Sequence, residues 1–110
     1  KWGTNEKFNI FYNAPTVILA MYDEKGLTPV QDISAATQNM LLMAESLGVG
    51  ACWNGMVSIG FGDEGMSKKY VEKLNLPEGH RVNHAIILGY AKTEILRGPE
   101  RKENKVTFIR

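Results

Sequence analysis

Two unbroken apolar runs, PTVILAMYD (Pro15 to Asp23) and VNHAIILGYA (Val82 to Ala91), bracket the middle of this chain and constrain its fold more than any other feature. Each is rich in Val or Ile and bounded by turn residues, so each reads as a strand buried on both faces. Between them, TPVQDISAATQNMLLMAESLG reads as the main helix. Thr28 stands at the N-cap, Pro29 at the first helical position, and Gln31 where it can close a capping box. Asp32 follows where the helix dipole favours an anion. Ile33, Ala36, Met40, Met43, Ala44 and Leu47 recur at helical spacing, and Leu41 and Leu42 widen the stripe. An apolar face this wide is expected to pack on a sheet and also on a second subunit. Ala35, Ala36 and Ala44 leave room for another backbone, and Gly48 is the natural left-handed terminator.

The remaining segments are shorter. DEGMSKKYVEKLN predicts a second helix, with Met66, Tyr70, Val71 and Leu74 on one face; LPEGHR is a loop; KVTFI (Lys105 to Ile109) predicts a final strand. The intervening KTEILRGPERKEN is polar and carries a Gly-Pro break. Three strands and two helices make part of an α+β sheet rather than a complete doubly wound fold. A chain of 110 residues forms one domain, and its core is small enough that a partner chain is expected to bury some of its apolar surface. The chain starts at Lys1 rather than Met, and a missing N-terminal segment would account for the small number of elements.

Charge and cysteine content narrow the function. Net charge is +1, which argues against a general nucleic-acid or polybasic membrane binder. Residues 1–91 hold 7 Lys and Arg against 9 Asp and Glu, whereas residues 92–110 hold 6 against 3, so positive charge concentrates in the tail around Arg97, Arg101, Lys102 and Lys105. No apolar run is long enough to span a bilayer, and the first residues lack the apolar core of a signal peptide. A single cysteine, Cys52, forms no internal disulfide and points to a reducing compartment, the cytoplasm.

Two motifs fall to simple physics. GFGDEG (Gly60 to Gly65) matches the dinucleotide fingerprint in form, but Asp63 and Glu64 would stand where the pyrophosphate sits. His80 and His84 are four apart across a loop-to-strand junction; in a strand that separation is about 13 Å, too far for one metal to bridge. No metal site is expected. Cys52 lacks a partner base for nucleophilic work.

GVGACWNGM (Gly48 to Met56) and the basic tail remain. Trp53 taken alone is an ordinary core or interface residue. Gly55, however, lets a main-chain N–H approach a planar heteroaromatic edge, because no Cβ stands in the way. Arg101 and Lys102 are adjacent cationic donors suited to a phosphate. A flat ring with one polar edge and a terminal phosphate describes flavin mononucleotide, and both features are chemically compatible with it.

APTVI, QNMLLMAESLGVGACWNG, LNLPEG, ILGYAK and RGPERKENKV follow one another in an order that resembles the FMN-dependent nitroreductase family, from Phe11 to the chain end. The Arg-Lys before a short last strand is most similar to the branch often associated with ferredoxin-type iron–sulfur partners. The resemblance implies an α+β sandwich, an antiparallel-type central sheet flanked by helices, in an intertwined homodimer with FMN at the subunit interface. It implies that the loop after the long helix lies along the isoalloxazine. Asn54 and Gly55 would offer main-chain N–H groups to flavin N5 and O4. Cys52 and Trp53 would pack over the ring, and Arg101, assisted by Lys102, would bind the phosphate. NAD(P)H or a similar donor would reduce the flavin, and a nitroaromatic, quinone or related acceptor would reoxidise it; no side-chain acid or base is implied. Alternatives on the same fold are a dehalogenating flavin enzyme or a non-catalytic flavin-binding, dimerising remnant. Two features depart from the family pattern: the N-terminal Arg-Arg-Ser-type motif is absent from these residues, and Asn54 stands where an acidic or apolar residue is frequent.

Overall fold

The computed structural model describes residues 8–62, 68, 71–93, 97–103 and 106–109. The elements run β1 (Thr16–Asp23), α1 (Pro29–Ser46), β2 (Gly50–Asn54), α2 (Val57–Gly62) and β3 (His80–Gly89). The sheet order is β1-β3-β2, with both outer strands antiparallel to β3. β3 lies between two strands, and His84, Ala85, Ile86 and Ile87 are all buried on it. β1 departs from the expectation of burial on both faces: Thr16, Val17 and Ile18 are exposed. An outer strand has one paired neighbour, and its N-terminal half receives little cover in this chain.

The ends of α1 follow its sequence in part. Pro29 opens it, as its fixed φ and missing N–H favour. The capping box is not formed: the Thr28 hydroxyl donates instead to the Asp32 carboxylate at 3.0 Å, which satisfies the acid one turn into the helix. At the other end Gly48 takes a φ of +68°. Its N–H bonds the Glu45 carbonyl at 3.0 Å, and the Val49 N–H bonds that of Ala44 at 2.9 Å. This paired closure is a Schellman motif and turns the chain back toward the sheet.

The segment after that turn, expected as a loop, is strand β2. Gly50 makes the pairing feasible, since a Cβ there would lie 2.8 Å from the Gly89 carbonyl oxygen. The tail differs in the opposite direction. Residues 106–109 join no strand, and Val106, Phe108 and Ile109 are exposed. Lys105 lies outside the described residues. Most of the expected second helix also lies outside them, although residues 71–74 are helical. α2 was not foreseen; it forms because Val57 is buried against Val82 and Ala85, with Phe61 packed beside them.

A register shift gives the sheet two distinct faces. Ala20 pairs with His84 and Met21 with Val82, leaving Asn83 as an extra residue on β3. Val82, Ala85 and Ile87 therefore share a face with Met21, Leu19 and Val17, and this face carries the cluster with Phe11, Val57 and Leu76. His84 and Ile86 take the other face, which α1 covers. Complete burial of Ile86 contributes about 2–3 kcal/mol.

Candidate functional site

The β2–α2 corner gathers four of the sequence-predicted residues. Asn54 is 4% exposed, and both ends of its amide are hydrogen-bonded. Nδ2 donates to the Ile10 carbonyl at 2.5 Å, while Oδ1 accepts the Met56 N–H at 2.9 Å. Asn54 thus turns the chain from strand into helix and ties it to the preceding segment, where Tyr12 and Asn13 both adopt positive φ. The Tyr12 hydroxyl reaches the Met56 sulfur at 3.5 Å from the same side. Gly55 then sits on open ground: a Cβ built there would meet nothing within 4 Å. Its carbonyl accepts the Ser58 hydroxyl at 2.7 Å, which secures the first turn of α2.

Cys52 and Trp53 are neighbours on β2 and lie on opposite faces. Adjacent strand residues point to opposite faces, and the register puts Cys52 with Ile87 and Trp53 with Ile86. The two side chains therefore lie on different faces of β2, and the ring contact expected of both is carried forward as part of the proposal below. The Cys52 thiol is exposed and contacts its neighbour's carbonyl. Trp53, 39% exposed, stacks on His84 with ring centroids 4.2 Å apart and 23° between planes.

His84 was weighed in the sequence only as a metal ligand. It is 2% exposed, and its Nε2 lies 2.7 Å from the Thr37 hydroxyl on α1. Burial lowers its pKa below the usual histidine value, so the ring is neutral at pH 7. Helical spacing already pointed Thr37 inward, in line with Ile33, Met40 and Ala44; its polarity hid it from a search for apolar stripes. His80 bonds the Glu78 carbonyl instead. No group of three or more potential metal-ligating side chains converges among the described residues.

Arg101 and Lys102 are exposed and lie in no helix or strand. Neither forms an ion pair or hydrogen bond with another described residue; the ion pair among the described residues joins Arg81 of β3 to Glu24 after β1. No described contact brings them to the Gly55 corner. On the sheet face opposite α1, Ile10, Phe11, Val17, Leu19, Phe61 and Leu74 line an apolar groove of about 430 Å³. Gly60 and Gly62 of the fingerprint-like run lie within α2 rather than in a strand-to-helix turn, while residues 63–65 lie outside the described residues.

These features define an α+β domain with a helix-backed antiparallel sheet and an open main-chain corner at the end of an outer strand. The chain belongs to the nitroreductase family, whose model matches residues 3–90. It is 43% identical over 65 residues to an Archaeoglobus fulgidus protein carrying the name NADH dehydrogenase/NAD(P)H nitroreductase, covering 59% of this chain and 35% of that one. A nitroreductase with bound FMN from Bacteroides fragilis superposes with a TM-score of 0.83 at 29% identity, over 98% of this chain and 58% of its own. An FMN-dependent nitroreductase from Clostridium difficile gives 0.77 at 28% identity, over 96% and 63%. The chain therefore has the nitroreductase fold while spanning about a third of the curated relative and roughly three-fifths of the two solved structures.

Proposed function

We propose that this chain supplies the flavin-edge portion of an FMN-dependent oxidoreductase. The open Gly55 corner carries the reading: Asn54 turns its amide inward, and Gly55 leaves main chain accessible with no side chain in front of it. These residues fit a planar heteroaromatic edge. Asn54 and Gly55 would hold the polar edge of FMN, Trp53 would present an aromatic surface beside it, and Arg101 with Lys102 would bind the phosphate. Cys52, on the opposite face of β2, would contact the cofactor from that side. Bound FMN would supply the redox chemistry, taking reducing equivalents from NAD(P)H or a similar donor and delivering them to a nitroaromatic or quinone. The protein's own part is to orient the ring and tune the polarity of its edge. The family, the FMN-bound Bacteroides fragilis structure and the FMN-dependent Clostridium difficile nitroreductase support this assignment.

A homodimer follows from the same reading. Leu42 and Met43 on α1 and Leu47 at its C-cap are exposed, Leu47 at 69%. A second subunit laid against this end of α1 would cover these side chains. No helix among the described residues is long and apolar enough to cross a membrane, and the single cysteine fits a cytoplasmic setting. Reduction by a ferredoxin-type partner is an extension of the same proposal.

The test is the visible spectrum of the purified protein, followed by acid release and mass identification of the chromophore. Bound FMN with NAD(P)H turnover supports the oxidoreductase; bound FMN without turnover supports the flavin-binding remnant. A colourless chain that refuses added FMN, when a longer native chain also refuses it, overturns the reading.

A further inference from the structure

Trp53 is held from behind by a polar pair drawn from two other elements. Thr37 of α1 is completely buried, and His84 of β3 nearly so, yet each is polar in an otherwise apolar layer. Burying a hydroxyl and an imidazole costs free energy that their mutual hydrogen bond only offsets, whereas two aliphatic side chains would carry no such penalty. What the polar pair adds is direction. Thr37 Oγ1 fixes the His84 ring through Nε2 at 2.7 Å, and the His84 ring fixes the indole plane to within 23° of its own. Without that stack, a partly exposed Trp on a five-residue outer strand would have several rotamers open to it.

We propose that Thr37 and His84 are positioning residues that set the plane of Trp53, and with it the aromatic surface a planar heteroaromatic ligand meets beside Gly55. The proposal rests on the flavin reading above and adds the device that orders its stacking surface. Asn54 clamps the corner from one side, through Ile10 and Met56, and the Thr37–His84–Trp53 chain clamps it from the other. Strand, corner and indole are thereby referenced to α1, the longest rigid element described. His84 touches no ligand in this scheme and acts only through Trp53.

Trp2→Phe leaves Trp53 as the sole tryptophan, so its near-UV circular dichroism and acrylamide quenching report on this ring alone. In that background Thr37→Val removes the hydroxyl at nearly constant volume. The near-UV band is expected to shrink, quenching to rise about twofold, and the FMN dissociation constant to rise about tenfold. Thr37→Ser should restore all three, which simple loss of packing would not permit. His84→Phe keeps the stack without the hydrogen bond and should fall between. An unchanged indole signal in folded Thr37→Val overturns the positioning role, even if melting temperature drops. A changed indole with unchanged FMN affinity overturns its link to the ligand. If the parent chain takes up no FMN, the flavin reading fails, and the indole measurements still decide whether the pair positions Trp53.

Discussion

Replacing Asn54 with alanine should be among the most damaging single changes at this corner. The substitution removes both hydrogen bonds of a 4% exposed amide, leaving the Ile10 carbonyl and the Met56 N–H without their partners. Each bond contributes about 1 kcal/mol net, and a group orphaned away from water adds part of its desolvation cost, so the loss should be about 2–4 kcal/mol. Against a typical domain stability of about 5–15 kcal/mol this is a large fraction. At about 4 °C per kcal/mol it corresponds to a drop of roughly 8–16 °C in melting temperature. Urea unfolding followed by far-UV circular dichroism measures it directly. Asn54→Asp separates the two halves: it keeps an oxygen for the Met56 N–H but sets a second oxygen against the Ile10 carbonyl, so it should not rescue. A loss under about 0.5 kcal/mol for Asn54→Ala, the level of an ordinary surface change, would refute the argument. So would full recovery in Asn54→Asp.

Other perturbations probe separate parts of the structure. Arg101→Ala should raise the FMN dissociation constant by about 10- to 100-fold, the worth of a charge-assisted bond, with the far-UV spectrum unchanged; unaltered affinity would remove Arg101 from the phosphate site. His84 makes stability depend on acid. Its folded-state pKa is lowered by burial, so the unfolded chain takes up the proton first. Its contribution is present above the unfolded value of about 6.5 and is lost as pH falls from there through the folded pKa. His84→Phe should flatten that part of the urea-midpoint profile, and an unchanged profile would show that other groups cause it. Gly50→Ala would place a Cβ 2.8 Å from the Gly89 carbonyl oxygen, so β2 must shift away from β3. Destabilisation of at least about 1 kcal/mol is expected by the same unfolding assay; a neutral result would mean the outer strand relaxes freely.

Those elements that were legible in the sequence carry their own signals. β1 and β3 are apolar runs with turn residues at their ends, and α1 has Pro29 to open it, a periodic stripe and Gly48 to close it. β2 has none of these. GACWN becomes a strand because Gly89 and Ala85, more than thirty residues onward, offer it an edge, and no local propensity reports that. α2 is six residues with two glycines, a poor helix by propensity, and is held by the burial of Val57. The tail shows the reverse error: KVTFI has strand composition, but residues 106–109 pair with no strand among the described residues. The family resemblance, by contrast, was legible because it depends on the order of conspicuous segments rather than on their pairing.

The site was harder to read than the fold for a reason of parity. Counting by twos along VNHAIILG puts Val82 and His84 on one face, and the extra residue at Asn83 separates them. That single irregularity sends His84 toward α1 and lets it meet both Thr37 and Trp53, a constellation invisible to spacing. The glycines divide in a similar way. Gly50 and Gly55 look alike in GVGACWNG, as two parts of one cradle, yet Gly50 is bare because its own sheet presses against it. Gly55 is bare with nothing among the described residues within 4 Å of where a Cβ would stand. The proposed ligand-facing role therefore rests on Gly55 rather than on Gly50. Main-chain approach to a flat ring is thus open at the two residues, Asn54 and Gly55, where β2 ends and the chain turns into α2.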